Sequence, residues 1–163
     1  MRVVATDLLP ARLRLARRWG AWRALDARDP ELVGTLHRVS GGRGVDAAVV
    51  AVPSDAAVEQ AQQAVRGGGL TLLFAHTLRG KASAVDLGRV CVDEKGLVGS
   101  YSSDFTLQRE AARLVFSRRL DVRGLVTHRF PLAEAATAIG LAANPGPESL
   151  KVMVNPASNG APA

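Results

Sequence analysis

The sequence predicts an α/β fold built on a mostly parallel sheet. Short runs of β-branched and aliphatic residues alternate with helical patterns from the first residue onward, which is typical of strand-helix-strand units. Two runs, 45–52 and 70–75, are almost continuously apolar, as expected of strands covered on both faces. With 163 residues and 47% hydrophobic content, the chain is long enough to bury a core.

Strands are predicted wherever an apolar run is bounded by turn-forming residues. They cover residues 2–6, 22–27, 45–52, 70–75, 96–101, 126–130 and 150–154. The run 96–101 is expected at an edge of the sheet. The segment 76–84 is interpreted as a loop, and 85–93 suits either a helix or a strand.

The first two helices are marked by proline and glycine. Pro10 begins the first helix, because proline suits the first helical position, and Gly20 ends it. Asp29 can cap the second helix, with Pro30 at its first position. The glycine-rich cluster 41–44 then ends that helix.

Three later helices are predicted from polar caps and apolar faces. Ser54 or Asp55 caps one that extends to about residue 65, and Asp104 or Thr106 starts one that ends near residue 119. A last helix covers 132–143. The predicted apolar faces are Leu107, Ala111, Leu114 and Val115 in the former, and Leu132, Ala135, Ala136 and Ile139 in the latter.

Composition argues against several classes of protein. No apolar run approaches the about 18 residues that a membrane span needs, and Asp7 interrupts the N-terminus before a signal peptide could form, so a cytoplasmic location is expected. The single cysteine, Cys91, and three scattered histidines (His37, His76, His128) show no zinc-binding spacing. No metal site is therefore predicted.

The positive charge of the chain raises the question of a nucleic-acid partner. The formal net charge is +6, and basic surfaces bind phosphate backbones. However, the 18 arginines and 3 lysines are dispersed, with doublets only at 17–18 and 118–119 and no interleaved aromatic platform. Direct nucleic-acid binding is therefore disfavoured.

Asp7 is the first candidate site residue, since it follows the first predicted strand. In dinucleotide-binding folds an acid at this place accepts hydrogen bonds from the adenosine ribose, although an acid there can also be an ordinary helix cap. The glycine-rich phosphate loop lies about 20 residues before that acid. In the ribose role, Asp7 would place the loop about thirteen positions before Met1, so the chain is expected to lack it.

The glycine clusters within the chain do not replace that loop. Clusters 41–44 and 67–69 each lie between a predicted helix and a predicted strand, whereas a phosphate loop follows a strand and opens a helix. Both are interpreted as helix stops. A triad of Ser102 or Ser103 with Asp104 and His128 has no support in the sequence.

An ordered series of short motifs resembles the C-terminal half of zinc-type medium-chain alcohol dehydrogenases, with the sorbitol and threonine dehydrogenase branch most similar. The resemblance covers residues 1 to about 155. The motifs are Val-Val-Ala-Thr-Asp (3–7), Arg-Leu-Ala-Arg-Arg-Trp-Gly-Ala (14–21), Gly-Gly-Arg-Gly-Val-Asp (41–46), Val-Arg-Gly-Gly-Gly (65–69), Leu-Val-Gly-Ser-Tyr (97–101), Arg-Leu-Asp-Val (119–122), Val-Thr-His-Arg-Phe-Pro-Leu (126–132) and Ser-Leu-Lys-Val (149–152).

The resemblance implies a specific fold and domain organisation. It implies a truncated Rossmann-like, doubly wound parallel sheet that lacks its first strand and glycine loop, with a C-terminal strand-helix-strand extension. Residues 1–125 would form the incomplete dinucleotide-binding domain and 126–155 would pack on a missing catalytic domain. The tail 156–163 is expected to be disordered.

The resemblance also implies the cofactor and the residues that contact it. The cofactor would be NAD rather than NADP, bound weakly, because an acid at Asp7 repels a 2′-phosphate. Zinc belongs to the family, but this chain shows no ligands for it. The implied contacts are Asp7 and Arg12 to the adenosine ribose, Val52 to the adenine, Ala75, Leu97 and Gly99 to the nicotinamide, and Lys151 to the pyrophosphate.

The sequence differs from the family at two positions near the implied cofactor site, and it leaves two functional hypotheses. Pro53 and Ala75 stand where the family often has glycine. The first hypothesis is the cofactor-binding half of an alcohol or polyol dehydrogenase, inactive alone, whose partner is a separately encoded catalytic half. The alternative is a non-catalytic interaction module. Under either, a homo-oligomer through the edge strand 96–101 is expected, with no membrane partner.

Overall fold

The computed structural model describes residues 1–75, 80, 82–101 and 104–157. Most of the predicted loop 76–84 and residues 158–163 of the predicted tail lie outside the described residues. The chain divides into two compact units, which we call unit 1 (Met1–Asp26 with Asp104–Ala163) and unit 2 (Ala27–Ser103). The predicted boundaries at residues 125 and 155 stay predictions.

The described residues alternate between strands and helices from end to end. The elements are β1 (Val4–Asp7), α1 (Pro10–Arg18), β2 (Arg23–Asp26), α2 (Leu32–Val39), β3 (Val45–Val50), α3 (Asp55–Ala64), β4 (Val65–Leu73), α4 (Leu87–Val92), β5 (Gly96–Gly99), α5 (Gln108–Phe116), β6 (Val126–Pro131), α6 (Ala135–Ala143) and β7 (Lys151–Asn155).

Every strand pairing among the described residues is parallel, which confirms the predicted α/β class. Unit 1 contains two sheets, β1-β2 and β6-β7, and unit 2 contains the sheet β3-β4-β5. The strand β5 is an edge strand, as predicted. In the part of the chain that the structure describes, β1 pairs only with β2 and β3 only with β4. Each therefore has one edge without a partner strand.

In unit 1, α1 begins where the sequence predicts. Pro10 is at the start of the helix, and Arg17 in the last turn donates a hydrogen bond from Nη2 to the Ala24 carbonyl at 3.0 Å. Next to β2, the ring of Trp22 lies between two guanidinium groups, those of Arg2 at 4.9 Å and Arg23 at 4.8 Å from its centroid. Such cation–π contacts stabilise an aromatic side chain that stays partly exposed.

The predicted strand-helix-strand extension is also present in unit 1, because β6, α6 and β7 form a parallel unit. The predicted apolar face of α6 is wrong, however. Ala138 is the buried residue of the helix, whereas Leu132 and Ile139 are 61% and 68% exposed. The segment 135–143 is apolar almost all round, so its sequence does not distinguish the face that packs on β7.

The helix α5 begins at Gln108, later than the predicted start at Asp104 or Thr106. Asp104 instead holds a turn, in which its Oδ1 accepts hydrogen bonds from the Thr106 backbone amide at 2.8 Å and hydroxyl at 2.7 Å. The hydroxyl and amide of Thr106 also hold the pKa of Asp104 below its usual range. No residue of α5 is fully buried, and Leu107, just before it, is exposed.

In unit 2, the core forms between the sheet and α3. Val50 of β3 packs with Val58 and Ala61 of α3. Ser54 caps α3, its hydroxyl accepting a hydrogen bond from the Ala57 amide at 3.3 Å. The prediction that the runs 45–52 and 70–75 are covered on both faces is wrong. Val49 is 63% exposed in the first run, and Leu70 and Phe74 are 40% and 59% exposed in the second. The strand β3 ends at Val50 rather than at residue 52, where the chain turns toward α3.

Two further boundaries differ from the predictions. The helix α2 begins at Leu32, since Asp29 Oδ1 accepts a hydrogen bond from the Glu31 amide at 2.8 Å and Pro30 lies in a turn before the helix. The ambiguous segment 85–93 contains the helix α4. Asp86 caps α4 by accepting a hydrogen bond from the Arg89 amide at 2.9 Å.

The glycine cluster 67–69 is not a helix stop, because it lies within β4. The pairing with β3 shifts from Val45–Val65 to Ala47–Leu70, so three extra residues of β4 bulge out of the ladder. Arg66 in the bulge donates from Nε to Asp46 Oδ1 at 2.8 Å. Together with Arg43, this bond holds the pKa of the Asp46 carboxyl below its usual range. The predicted helix stop at 41–44 is confirmed, since the cluster follows α2.

Gly44 provides a test of how tightly the chain is packed before β3. Its φ is +93°, and a Cβ there would lie 2.7 Å from the Ala64 carbonyl oxygen and 2.9 Å from the Arg66 amide nitrogen. We expect Gly44→Ala to lower the free energy of unfolding by about 3 kcal/mol, because backbone atoms must move as well as φ. Urea denaturation followed by circular dichroism measures this.

The matched control is Gly41→Ala, which has a similar φ of +74° but open space around the new methyl group. It should cost only about 1 kcal/mol, the price of the left-handed conformation. Equal unfolding midpoints for the two variants would show that the close approach at Gly44 is absent.

Candidate functional site

Asp7 and Arg12 form the candidate site of unit 1, at the carboxyl end of β1. Asp7 Oδ1 accepts a hydrogen bond from the Leu9 amide at 2.9 Å, and Asp7 Oδ2 lies 3.8 Å from Arg12 Nη1. The first bond tightens the turn before α1, whose cap position is occupied by Leu9 without a side-chain cap. Asp7 is therefore not the cap of α1, and its side chain keeps 26% exposure.

Arg12 retains hydrogen-bonding capacity beside that carboxylate. Its Nε is buried and has no partner among the described residues, and its contact with Asp7 is longer than a hydrogen bond. The side chain is 35% exposed. A carboxylate that accepts and a guanidinium that donates thus lie side by side, an arrangement that suits a pair of neighbouring hydroxyl groups.

The unit 2 residues of the predicted site gather at one edge of the sheet β3-β4-β5. Val50, Leu73 and Gly99 share one row of the parallel register, so Val52 and Ala75 follow β3 and β4 at the edge where β5 ends. The amides of Phe74 and Ala75 both donate to the Val50 carbonyl at 3.0 Å. These bonds fix the chain as it leaves β4.

The remaining predicted contacts are placed differently. Leu97 lies inside β5, paired with Thr71 and half-buried. Lys151 begins β7 in unit 1 and is exposed, and its carbonyl accepts a 3.3 Å hydrogen bond from the Thr127 hydroxyl. In the described ranges no hydrogen bond or ion pair joins Lys151 to Asp7 or Arg12. The structure thus brings together Asp7 with Arg12, and Val52 with Ala75 and Gly99.

The side chains that could ligate a metal are dispersed. His37 directs both ring nitrogens at carbonyl oxygens, Nδ1 at 3.3 Å from Gly42 and Nε2 at 3.0 Å from Gln63. His128 Nδ1 lies 3.0 Å from the Thr127 hydroxyl, and Cys91 is exposed on α4. Within the described residues, no three His, Cys, Asp or Glu side chains group as metal ligands. This donor set does not fit a catalytic zinc ion, and His76, Ser102 and Ser103 lie outside the described residues.

A cavity of about 270 Å³ beside α1 was missed by the sequence interpretation. Within unit 1 its lining includes three arginines of α1 together with C-terminal residues; these are Arg12, Arg14, Arg18, Thr127, Pro147, Glu148 and Leu150. Arg14 Nη2 lies 3.5 Å from Glu148 Oε1, a contact between residues 134 positions apart. One feature of the sequence could have indicated this cavity: the stretch between Asp7 and Asp26 contains five arginines and no acidic residue.

One negative feature concerns membranes. In the part of the chain that the structure covers, no helix combines the length and apolar character needed to cross a bilayer.

Comparisons with known proteins identify relatives along nearly the whole chain. Residues 1–117 match the family model described as zinc-binding dehydrogenase. The chain is 31% identical over 159 residues to an alcohol dehydrogenase of Cupriavidus necator, and 28% identical over 158 residues to an erythritol/L-threitol dehydrogenase of Mycolicibacterium smegmatis. It covers 42% of the length of each of these relatives, which in turn align with 94% and 96% of this chain.

Solved structures share the fold at lower identity. A protein from Sinorhizobium meliloti 1021, described as a zinc-binding dehydrogenase and bound to NADP, superposes with a TM-score of 0.86 at 23% identity. The match covers 96% of this chain and 45% of that one. An alcohol dehydrogenase from Thermotoga maritima gives 0.85 at 23% identity, covering 95% and 44%. These neighbours confirm the Rossmann-like fold class.

Proposed function

This chain belongs to the zinc-binding dehydrogenase family, and on that premise we propose that it is the nicotinamide-cofactor-binding half of an alcohol or polyol dehydrogenase. The observation that carries the proposal is the Asp7–Arg12 pair at the carboxyl end of β1. Ligands of open parallel sheets bind beyond the carboxyl ends of the strands. An acid at that place is the group that holds the adenosine ribose of a dinucleotide.

The pair fits the ribose through complementary hydrogen bonding. Asp7 Oδ2 faces Arg12 rather than a backbone amide, so it can accept bonds from ribose hydroxyls, while the Arg12 guanidinium can donate to a hydroxyl oxygen. For Val52 the family resemblance implies an adenine contact, and for Ala75 and Gly99 nicotinamide contacts; these residues lie at the carboxyl edge of the sheet β3-β4-β5. When bound, the nicotinamide supplies the acceptor for a hydride from the alcohol carbon.

The pyrophosphate fits the described residues less well. A phosphate loop needs glycines after a strand and at the start of a helix, but the cluster 41–44 follows α2 and 67–69 lies within β4. Lys151 is then the remaining proposed phosphate contact, and it is exposed. The 163-residue polypeptide should therefore bind the cofactor weakly, with a Kd of about 1 mM, or about 4 kcal/mol.

The carboxylate of Asp7 also favours NAD over NADP. A 2′-phosphate would bring negative charge to the atoms that accept the ribose hydroxyls, and the nearby Arg12 is already 3.8 Å from Asp7. In contrast, a neutral amide at this position would not repel the phosphate.

Asp7→Asn tests this assignment by calorimetric titration with ADP-ribose, NAD and NADP. We expect ADP-ribose and NAD to bind about tenfold more weakly, because an amide makes weaker bonds to the hydroxyls than a carboxylate, and the preference for NAD over NADP to disappear. The matched control is Glu134→Gln, which removes one negative charge from an exposed position of unit 1. Equal losses in both variants would contradict the assignment of Asp7 to the ribose. Micromolar NAD binding by the unaltered chain would contradict the expected weak binding.

A further inference from the structure

The net positive charge of the protein comes from one of its two units. Unit 1 carries thirteen basic and seven acidic side chains, whereas unit 2 carries eight of each, so unit 1 accounts for the whole net charge of +6. Within unit 1, the stretch between Asp7 and Asp26 contains five arginines and no acid. Four of those arginines lie on α1.

Three of the α1 arginines line the cavity described above. Arg12, Arg14 and Arg18 line a volume of about 270 Å³, and among the lining residues Glu148 is the one acid. Glu148 is 78% exposed, and its 3.5 Å contact with Arg14 is at the limit of a hydrogen bond. Such an exposed pair holds its partners weakly, so an incoming anion can replace the carboxylate.

The guanidinium groups also keep donors that the protein does not use. Arg18 makes no ion pair with any described residue, and the ion pair of Arg14 with Glu148 is weak. The cavity lining thus combines three arginines with one exposed acid, which leaves it with a net positive charge.

We propose that this cavity binds the phosphate group of a small anion. Guanidinium forks match the oxygen geometry of phosphate, and three of them balance its charge. The volume lies just below the about 300 Å³ at which small-molecule sites begin, which leaves room for a phosphate and a few further atoms. This site is beyond the proposed ribose contact, with which it shares only Arg12.

Calorimetric titration of the full 163-residue chain with inorganic phosphate, glycerol phosphate and glycerol, at low ionic strength, tests the proposal. We expect both phosphate compounds to bind with a Kd of about 1 mM and glycerol not to bind. Arg18→Gln should weaken binding about fivefold, and Glu148→Gln should strengthen it about threefold by removing the competing carboxylate. Arg109→Gln removes the same charge from an exposed position of α5 and should leave the Kd unchanged.

The outcomes distinguish a phosphomonoester from free phosphate as the ligand. They also distinguish failure of the phosphate site from failure of the proposed cofactor site. Tighter binding of glycerol phosphate identifies a phosphomonoester ligand, and equal binding identifies free phosphate. No phosphate binding, or equal weakening by Arg18→Gln and Arg109→Gln, overturns the site. Asp7→Asn should not weaken phosphate binding, whereas it should weaken ADP-ribose binding, so failure of the cofactor site is recognised separately.

Discussion

The purified 163-residue polypeptide is expected to show no NAD-dependent oxidation of sorbitol or other polyols. Oxidation by zinc-type dehydrogenases needs a Lewis acid that stabilises the alkoxide, and that metal needs three protein ligands around an open position. The described donors do not provide them, since His37 is engaged with backbone carbonyls and Cys91 is exposed on α4. Spectrophotometric detection of NADH measures the oxidation, and metal analysis of the pure chain measures its zinc content.

Adding a separately expressed catalytic half should restore activity if the two halves assemble. The relatives are more than twice as long as this chain, so such a half would comprise the segment they have in addition. Asp7→Asn should reduce the restored rate at low NAD, whereas Glu134→Gln should not. Stoichiometric zinc together with polyol turnover by the chain alone would contradict this expectation.

Self-association is the second large effect, and we propose that it occurs through β5. The Ser100 amide donates a hydrogen bond to the Leu73 carbonyl of β4 at 3.0 Å. Because successive amides of a strand point to opposite sides, the amides of Leu97 and Gly99 point away from β4. Val98 is also 48% exposed. An open edge of this kind pairs with the same edge of a second copy, which extends the sheet into a homodimer.

Gly99→Pro tests the edge, because proline removes one outward amide and leaves the hydrogen bond of Ser100 in place. We expect the variant to sediment as a monomer at concentrations where the unaltered chain is dimeric. Gly99→Ala is the matched control, since a Cβ at Gly99 meets no atom within 4 Å and the amide remains. Unchanged association of Gly99→Pro would exclude β5 as the contact.

The unpaired edges of β1 and β3 should add to this tendency. Each is a short strand with one side of its backbone unpaired within the described residues, and such edges associate and exchange hydrogen readily. We therefore expect low overall stability. A monomer with strong amide protection in both strands at low concentration would argue against association.

Local signals in the sequence predict most of the helices and strands, but they do not predict which side chains of those elements are buried. Pro10 places the start of α1 correctly because proline restricts one dihedral angle at one residue. The glycines at 67–69 mislead, since the same flexibility that ends a helix also permits a bulge within β4. The exposure of Val49 depends on what lies beside β3, which no local pattern encodes.

In the candidate site, too, one part could be predicted from the sequence and another part could not. Asp7 and Arg12 are close in sequence, so one strand end and one helical turn are enough to bring them together. The cavity arginines could be counted along α1, but the contact between Arg14 and Glu148 joins opposite ends of the chain. Only the tertiary fold of unit 1 shows that these arginines line a cavity.

The placement of the aromatic residues determines what spectroscopy can detect. Both tryptophans, Trp19 and Trp22, belong to unit 1, and Trp22 is held between two arginines. Unit 2 contains no tryptophan. Intrinsic tryptophan fluorescence therefore reports the unfolding of unit 1 and does not report the unfolding of the sheet β3-β4-β5. Fluorescence and far-ultraviolet circular dichroism will therefore give coincident transitions only if the two units unfold as one cooperative system.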